Sequence, residues 1–279
     1  MMLFVAMVSC ASCAGGAKTG GLPSDARSIE FLARVGVDPF SCSSLSKNIG
    51  TTGASVEPID FRLYIHDVRL IRDDGSEVSF ALSDDGKWQY RNVALLDFED
   101  KTEGCVNGTA ETRTKIVGTA GDGKFNGIAF KIGVPSDLNH SDVATAPSPL
   151  NLSGLFWNWL DGRKFARIDG RVIGLDDRVS PFVVHIASTE CVRDERGATS
   201  CAKPNIGEVR LVGFDPFAKP IIADYKELLA DVDVTRDSAG KGCMSAESEP
   251  DCDSIMLRLG IDRKTGQPNA TTQRFFRVE

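Results

Sequence analysis

Histidine and tryptophan are scarce in this chain, with three of each in 279 residues. His66, His140 and His185 stand far apart, and neither HExxH nor any similar spacing joins them, so a zinc-peptidase reading has no support. No GxSxG elbow is present, which argues against the common serine hydrolases. A glycine-rich phosphate loop is also missing; Gly121-Asp122-Gly123 reads as a hairpin turn. Long apolar runs are absent, and the opening Met1 to Val8 is too short to span a bilayer. Nor is there a basic stripe. The 32 Lys and Arg residues are mixed with 39 Asp and Glu residues, a formal charge of −7, which argues against nucleic acid as a partner.

The start of the chain reads as an export leader. It carries no charge before Lys18, and its apolar run passes into Ser9-Cys10 and Ala11-Ser12-Cys13-Ala14. Small residues before Cys10 and Cys13 fit lipoprotein cleavage, with one of the two cysteines lipidated; plain periplasmic export is the alternative. Any contact with a membrane would then run through that lipid anchor. Residues 1–28 are assigned as leader and flexible tether, and residues 29–279 as a single domain.

Six cysteines remain beyond the leader: Cys42, Cys105, Cys191, Cys201, Cys243 and Cys252. An even count in an exported chain predicts disulfides, and the absence of CxxC in this part ranks zinc thiolates well below them. Cys191 and Cys201 bracket a polar hairpin tip, and Cys243 and Cys252 bracket another polar loop. Short loops close at little entropic cost, so these pairs are favoured. Cys42 and Cys105 then pair by elimination.

Period-two alternation is the main structural signal. It runs through Phe61 to Ile71, and further strands are expected over 78–82, 93–98, 112–118, 127–134, 165–173, 181–188 and 208–214. Gly/Asp turns separate them. The expected fold is all-β, an antiparallel β-sandwich or barrel-like architecture stapled by disulfides. One short C-terminal helix is expected over 221–232, where Ile222, Tyr225, Leu228 and Leu229 follow helical spacing.

The densest group of rare residues is Asn139-His140-Ser141-Asp142, followed closely by Phe156-Trp157-Asn158-Trp159. On a strand, Trp157 and Trp159 would share one face. Packing is the ordinary role for such a pair, as it is for a lone strand histidine. His185 is nevertheless a polar residue inside the apolar run Phe182-Val183-Val184-His185-Ile186. Imidazoles beside oxidisable indoles in an oxidising compartment point to copper. The acidic stretch Asp97-Phe98-Glu99-Asp100 reads as a solvated loop edge.

Several blocks together resemble the MbnP-like family, the four-Cys half of the "metallo-mystery pair". They are FRLYIHDVRLI, VALLDFEDKTEGCVNGT, GIAFKIGVPSDLNHSDVATAPSPLN, LFWNWLDGRKFARID and FVVHIASTEC. The resemblance covers most of the chain beyond the leader. It implies an exported protein encoded near copper-handling operons, with a di-haem peroxidase partner of the MauG type, MbnH. That partner would oxidise a tryptophan to kynurenine: Trp159 or Trp157, with Trp88 as a third candidate. It also implies copper held by His140 and His185, with His66 a weaker third ligand. The protein would be a substrate and metal carrier and not an enzyme. The alternatives are an envelope interaction module without metal and, more remotely, a small-molecule hydrolase using His140 and nearby acids.

Overall fold

A computed structural model describes residues 24–173, 179–236 and 242–279. Cys10 and Cys13 lie outside the described residues. The first strand, Arg27–Val35, begins inside the stretch assigned to the tether.

Two large sheets face each other. The organising element of one is an eighteen-residue strand, Ala54–Ile71. Along its length it pairs antiparallel with Ser46–Ile49, Glu77–Ser79, Val93–Asp97, Gly127–Ile132 and Ala166–Ile173. Ala166–Ile173 pairs onward with Val179–Ile186, and Gly127–Ile132 with Gly207–Val212. The second sheet runs in the order Phe276–Val278, Ile221–Asp224, Arg27–Val35, Lys115–Thr119, Ala81–Leu82. The sandwich is mostly antiparallel and does not close into a barrel. Two pairings are parallel: Ile221–Asp224 on Arg27–Val35, and Gly242–Cys243 on Val179–Ile186.

Aromatic rings fill the space between the sheets. Phe31 and Phe276 of one sheet meet Phe130 of the other edge-on, at centroid distances of 5.8 and 5.0 Å. Phe61 packs on Phe275 and Tyr225. Edge-to-face contacts of this kind add to the burial of apolar area.

The helix expected over 221–232 forms only in part. Ile221–Asp224 is a strand, and a single helical turn, Tyr225–Leu228, follows it. The β-branched pair Ile221-Ile222 satisfies its backbone against Phe31 and Leu32, and that pairing overrides the local helical spacing. Asp224 then accepts hydrogen bonds from the backbone N–H groups of Lys226 and Glu227 and caps the turn. A longer helix, Asp251–Arg258, begins inside the polar loop expected between Cys243 and Cys252 and runs beyond it. Ile255, Met256 and Leu259 give it one buried face, and Asp251 and Asp253 sit favourably in its first turn. No described helix is long and apolar enough to cross a membrane.

All three disulfides have the expected pairing: Cys42–Cys105, Cys191–Cys201 and Cys243–Cys252.

Candidate metal and tryptophan site

At one end of the larger sheet the hairpin Phe156–Asn158/Gly162–Arg163 meets the loop that carries His140. The hairpin reverses because Asn158 Oδ1 accepts from the N–H groups of Leu160 and Asp161, both at 2.8 Å. This turn separates the two indoles, so the shared face expected for Trp157 and Trp159 does not form. Trp157 is half-buried, and its ring stands edge-on to the His185 imidazole with centroids 5.9 Å apart. Trp159 lies in the turn, 55 % exposed, and packs on Phe156. Trp88 belongs to a different loop, where the Asp85 carboxylate accepts its backbone N–H and Lys87 stands over its ring.

Asn139 joins the His140 loop to the hairpin. Its Oδ1 accepts the Arg163 N–H at 2.8 Å. Its Nδ2 lies 3.2 Å from the Asp161 carbonyl and 3.3 Å from both Ser188 Oγ and His140 Nε2. Gly162 allows this approach, because a Cβ there would sit 2.6 Å from Asn139 Oδ1. Behind Asn139 lies Arg163, 1 % exposed. Its guanidinium donates to the carbonyl oxygens of Leu138, Asn139, Ser141 and Leu150 at 2.5–3.1 Å. Three of these carbonyls belong to or follow the short helix Ser136–Asn139 and the fourth, Leu150, lies further along the chain, so a single cation ties the loop that presents His140 to that later segment. Burial and the positive charge of Arg163 hold the half-buried His140 ring below its ordinary pKa.

His185 is set by a second polar system beneath the hairpin. Its Nε2 lies 2.8 Å from Asp169 Oδ1. Asp169 also accepts from Arg167 Nε at 2.8 Å, and Arg167 reaches Asp60 at 3.2 Å. Asp60 in turn makes a two-pronged contact with Arg62. Burial pushes Asp169 upward, but His185 and Arg167 outweigh it and the carboxyl is held below its ordinary pKa. These residues alternate along adjacent strands, with Asp60 opposite Asp169 and Arg62 opposite Arg167 in register. The charged rungs therefore share one face of the sheet.

The chain of charges continues inward. Asp97 and Glu99 are fully buried, against the reading of that stretch as a solvated edge. Glu99 approaches Arg62 at 4.0 Å and accepts the N–H groups of Lys101 and Thr109. Burial, reinforced by the Glu99 charge, pushes Asp97 up to about 8.

His66 has a core role. Its Nδ1 is hydrogen-bonded to the Gly133 carbonyl at 2.9 Å, and the residue is buried on the central strand. Burial lowers its pKa to about 4, so it stays neutral in the fold. The unfolded chain takes up the proton first, near pH 6.5, and stability is lost as pH falls from there toward 4. His66→Gln keeps a donor for Gly133 without a titrating ring. It should remove up to about 3 kcal/mol of the acid destabilisation, read as a smaller drop in Tm between pH 7 and pH 4.5.

His185 thus lies against Trp157 of the hairpin, and His140 is linked to the turn of the same hairpin through Asn139. Among the described residues, no cluster of three ligating side chains contains both. Two clusters do occur, His140/Cys191/Cys201 and Cys243/Glu249/Cys252, and in each the two sulfurs form a disulfide. Arg163 and Asp169 were not singled out in the sequence. The signal for the second was present: Asp60-Phe61-Arg62 and Arg167-Ile168-Asp169 place charges at alternate positions of otherwise apolar strands.

Fold and site together define a disulfide-stapled β-sandwich that mounts a tryptophan hairpin, with His185 against Trp157 and His140 near the hairpin's turn. The chain belongs to the MbnP family, whose sequence pattern matches residues 24–245. It is similar to the solved structure of MbnP from Methylosinus trichosporium, at 28 % identity and a TM-score of 0.76. That likeness covers 91 % of this chain and 97 % of the other. No curated protein sequence matches the chain significantly.

Proposed function

We propose that this protein is an exported copper carrier in which Trp157 is oxidised to kynurenine by a di-haem peroxidase of the MbnH type. His140 and His185 are the metal ligands, and the protein has no turnover of its own. The observation that carries the choice of Trp157 is its edge-on contact with His185; Trp159 and Trp88 have other neighbours. The donor set suits the metal. His140 Nδ1 is buried without a hydrogen-bond partner, and the Asp169 carboxylate stands 2.8 Å from Nε2 of His185, close enough to support a ligating imidazole once the ring turns toward it. Imidazole is a good ligand for both copper oxidation states, and kynurenine adds an aryl amine and a ketone that indole lacks. Because no cluster of three ligating side chains among the described residues contains both histidines, a group arising on the Trp157 hairpin is the natural complement. Three disulfides favour an oxidising compartment such as the periplasm.

The test is co-expression with the genomic di-haem neighbour, addition of peroxide, and fragmentation mass spectrometry of the peptide holding both indoles. Trp157 should gain one oxygen and lose one carbon, about 4 Da heavier, a side-chain oxidation to set beside the better-known sulfur ones. Trp157→Phe should leave Trp159 and Trp88 unmodified. Unchanged Trp157 in the presence of demonstrably oxidised haems rejects the proposal. Replacing His140 or His185 with Ala should weaken Cu(I) binding by roughly 10-fold or more.

A further inference from the structure

The disulfide Cys191–Cys201 lies against the His140 loop. The two cysteines are direct partners across the hairpin Thr189–Arg193/Thr199–Lys203. His140 Nε2 stands between Asn139 Nδ2 at 3.3 Å and Cys201 Sγ at 3.6 Å. One ring nitrogen and both sulfurs lie within 4.8 Å of one another. We propose that Cys191 and Cys201, once reduced, join His140 in a three-ligand site for a soft monovalent cation of the Cu(I) class. This goes beyond the reading of Trp157 and His185: it shares His140 with that reading but needs neither of those two residues.

Three features support the assignment. The first is access. Cys105, Cys243 and Cys252 are fully buried and Cys42 nearly so, whereas Cys201 is only half-buried, so although Cys191 is 9 % exposed a reductant meets this disulfide at Cys201 before the others. The second is that the scaffold does not depend on the bond. The hairpin forms its own two-stranded sheet with four register pairs, and its ladder keeps the two sulfurs opposite each other when the bond opens. The third is preorganisation. Arg163 and Asn139 fix the imidazole beside the sulfurs through contacts that involve neither cysteine.

The chemistry balances with a dithiol as reductant. Two electrons and two protons pass to the cystine, the S–S bond breaks, and the reductant leaves as its own disulfide. Binding of the cation then displaces the two thiol protons to water, with no change in oxidation state. Two thiolates and an imidazole favour Cu(I) over hard divalent ions such as Mg(II) and Ca(II), and Zn(II), which takes the same donor set, is the competitor to include in the titration.

The experiment uses the full chain produced without a haem partner, so that all tryptophans are intact. After mild dithiol treatment, alkylation and peptide mapping should label Cys191 and Cys201 and leave the other four cysteines paired. Cu(I) titrated against bicinchoninate should bind more tightly to the reduced protein than to the oxidised one, with an ultraviolet sulfur-to-copper charge-transfer band that the oxidised protein lacks. The Cys191→Ser/Cys201→Ser protein should lack the band, and so should wild-type protein alkylated at these two positions, which needs no new folding. His140→Ala should weaken the added site by roughly 10-fold or more. His185→Ala should leave the band in place, which separates this site from that of the preceding section. The proposal is overturned if reduction does not tighten Cu(I) binding, if the band survives capping of the two thiols, if another disulfide opens first, or if the band needs His185.

Discussion

Replacing Arg163 with methionine is expected to destabilise the protein by roughly 3 kcal/mol or more and to detach the His140 loop from the tryptophan hairpin. The guanidinium meets four backbone carbonyls in a buried setting. Methionine preserves much of the volume but donates nothing, and a buried acceptor left without a partner costs about 1–3 kcal/mol. Some of the four would find water, which brings the sum down to the figure given. Lysine keeps the charge but has a single nitrogen in place of a planar fork, so Arg163→Lys should fall between the two. Urea unfolding measures the first effect; faster amide hydrogen exchange over 138–142 measures the second. A methionine variant within 1 kcal/mol of wild type, with unchanged exchange in that loop, would contradict the role assigned to Arg163.

An effect of similar size is expected at Arg62. It is nearly fully buried among Asp60, Asp97 and Glu99. Removing one partner of a buried ionic group commonly costs about 3–5 kcal/mol, because the remaining charges stay in a poor solvent. Arg62→Met leaves three buried carboxyls, which would respond by taking up protons. The variant should therefore be least stable near and above neutral pH and should recover part of the loss toward pH 5. The sign follows from linkage: carboxyl pKa values raised in the fold mean that the native state binds protons more tightly than the unfolded chain, so stability falls as pH rises. A pH series of urea midpoints tests this, and a loss independent of pH would show that the carboxyls are not the cause.

Much of the architecture was legible in the sequence because alternation is a direct image of a strand with one buried face. The strands over 61–71, 93–98, 127–134 and 165–173 appear within a few residues of their expected limits, except that the first extends back to Ala54. The disulfide pairing was legible for a different reason, since short polar loops between cysteines leave few alternatives. The segment 221–232 was misread because Ile-Ile-Ala-Asp fits a strand edge as well as a helix, and only the partner strand Arg27–Val35 decides. The clamp formed by Arg163 left no trace in the sequence. Its acceptors are backbone carbonyls, which every residue carries, so no pattern of side chains announces them. The buried acids Asp97 and Glu99 failed in the opposite way: their composition suggested solvent, but they accept from Thr109 and from nearby backbone N–H groups, and Arg62, thirty-odd positions earlier in the chain, approaches Glu99.

The eighteen-residue central strand also bears on how the molecule reaches its fold. Its neighbours come from both sides in sequence, and Ser55 cannot find Ile173 until that distant segment has been made. Until then the strand exposes unpaired N–H and C=O groups along a largely apolar ribbon, the form of backbone most prone to pair with another copy. The nearby segments Ser46–Ile49, Glu77–Ser79 and Val93–Asp97 can cover parts of it early, as local hairpins. Assembly should then proceed from a local meander to a slow closure limited by the distant pairings, with self-association competing during that interval.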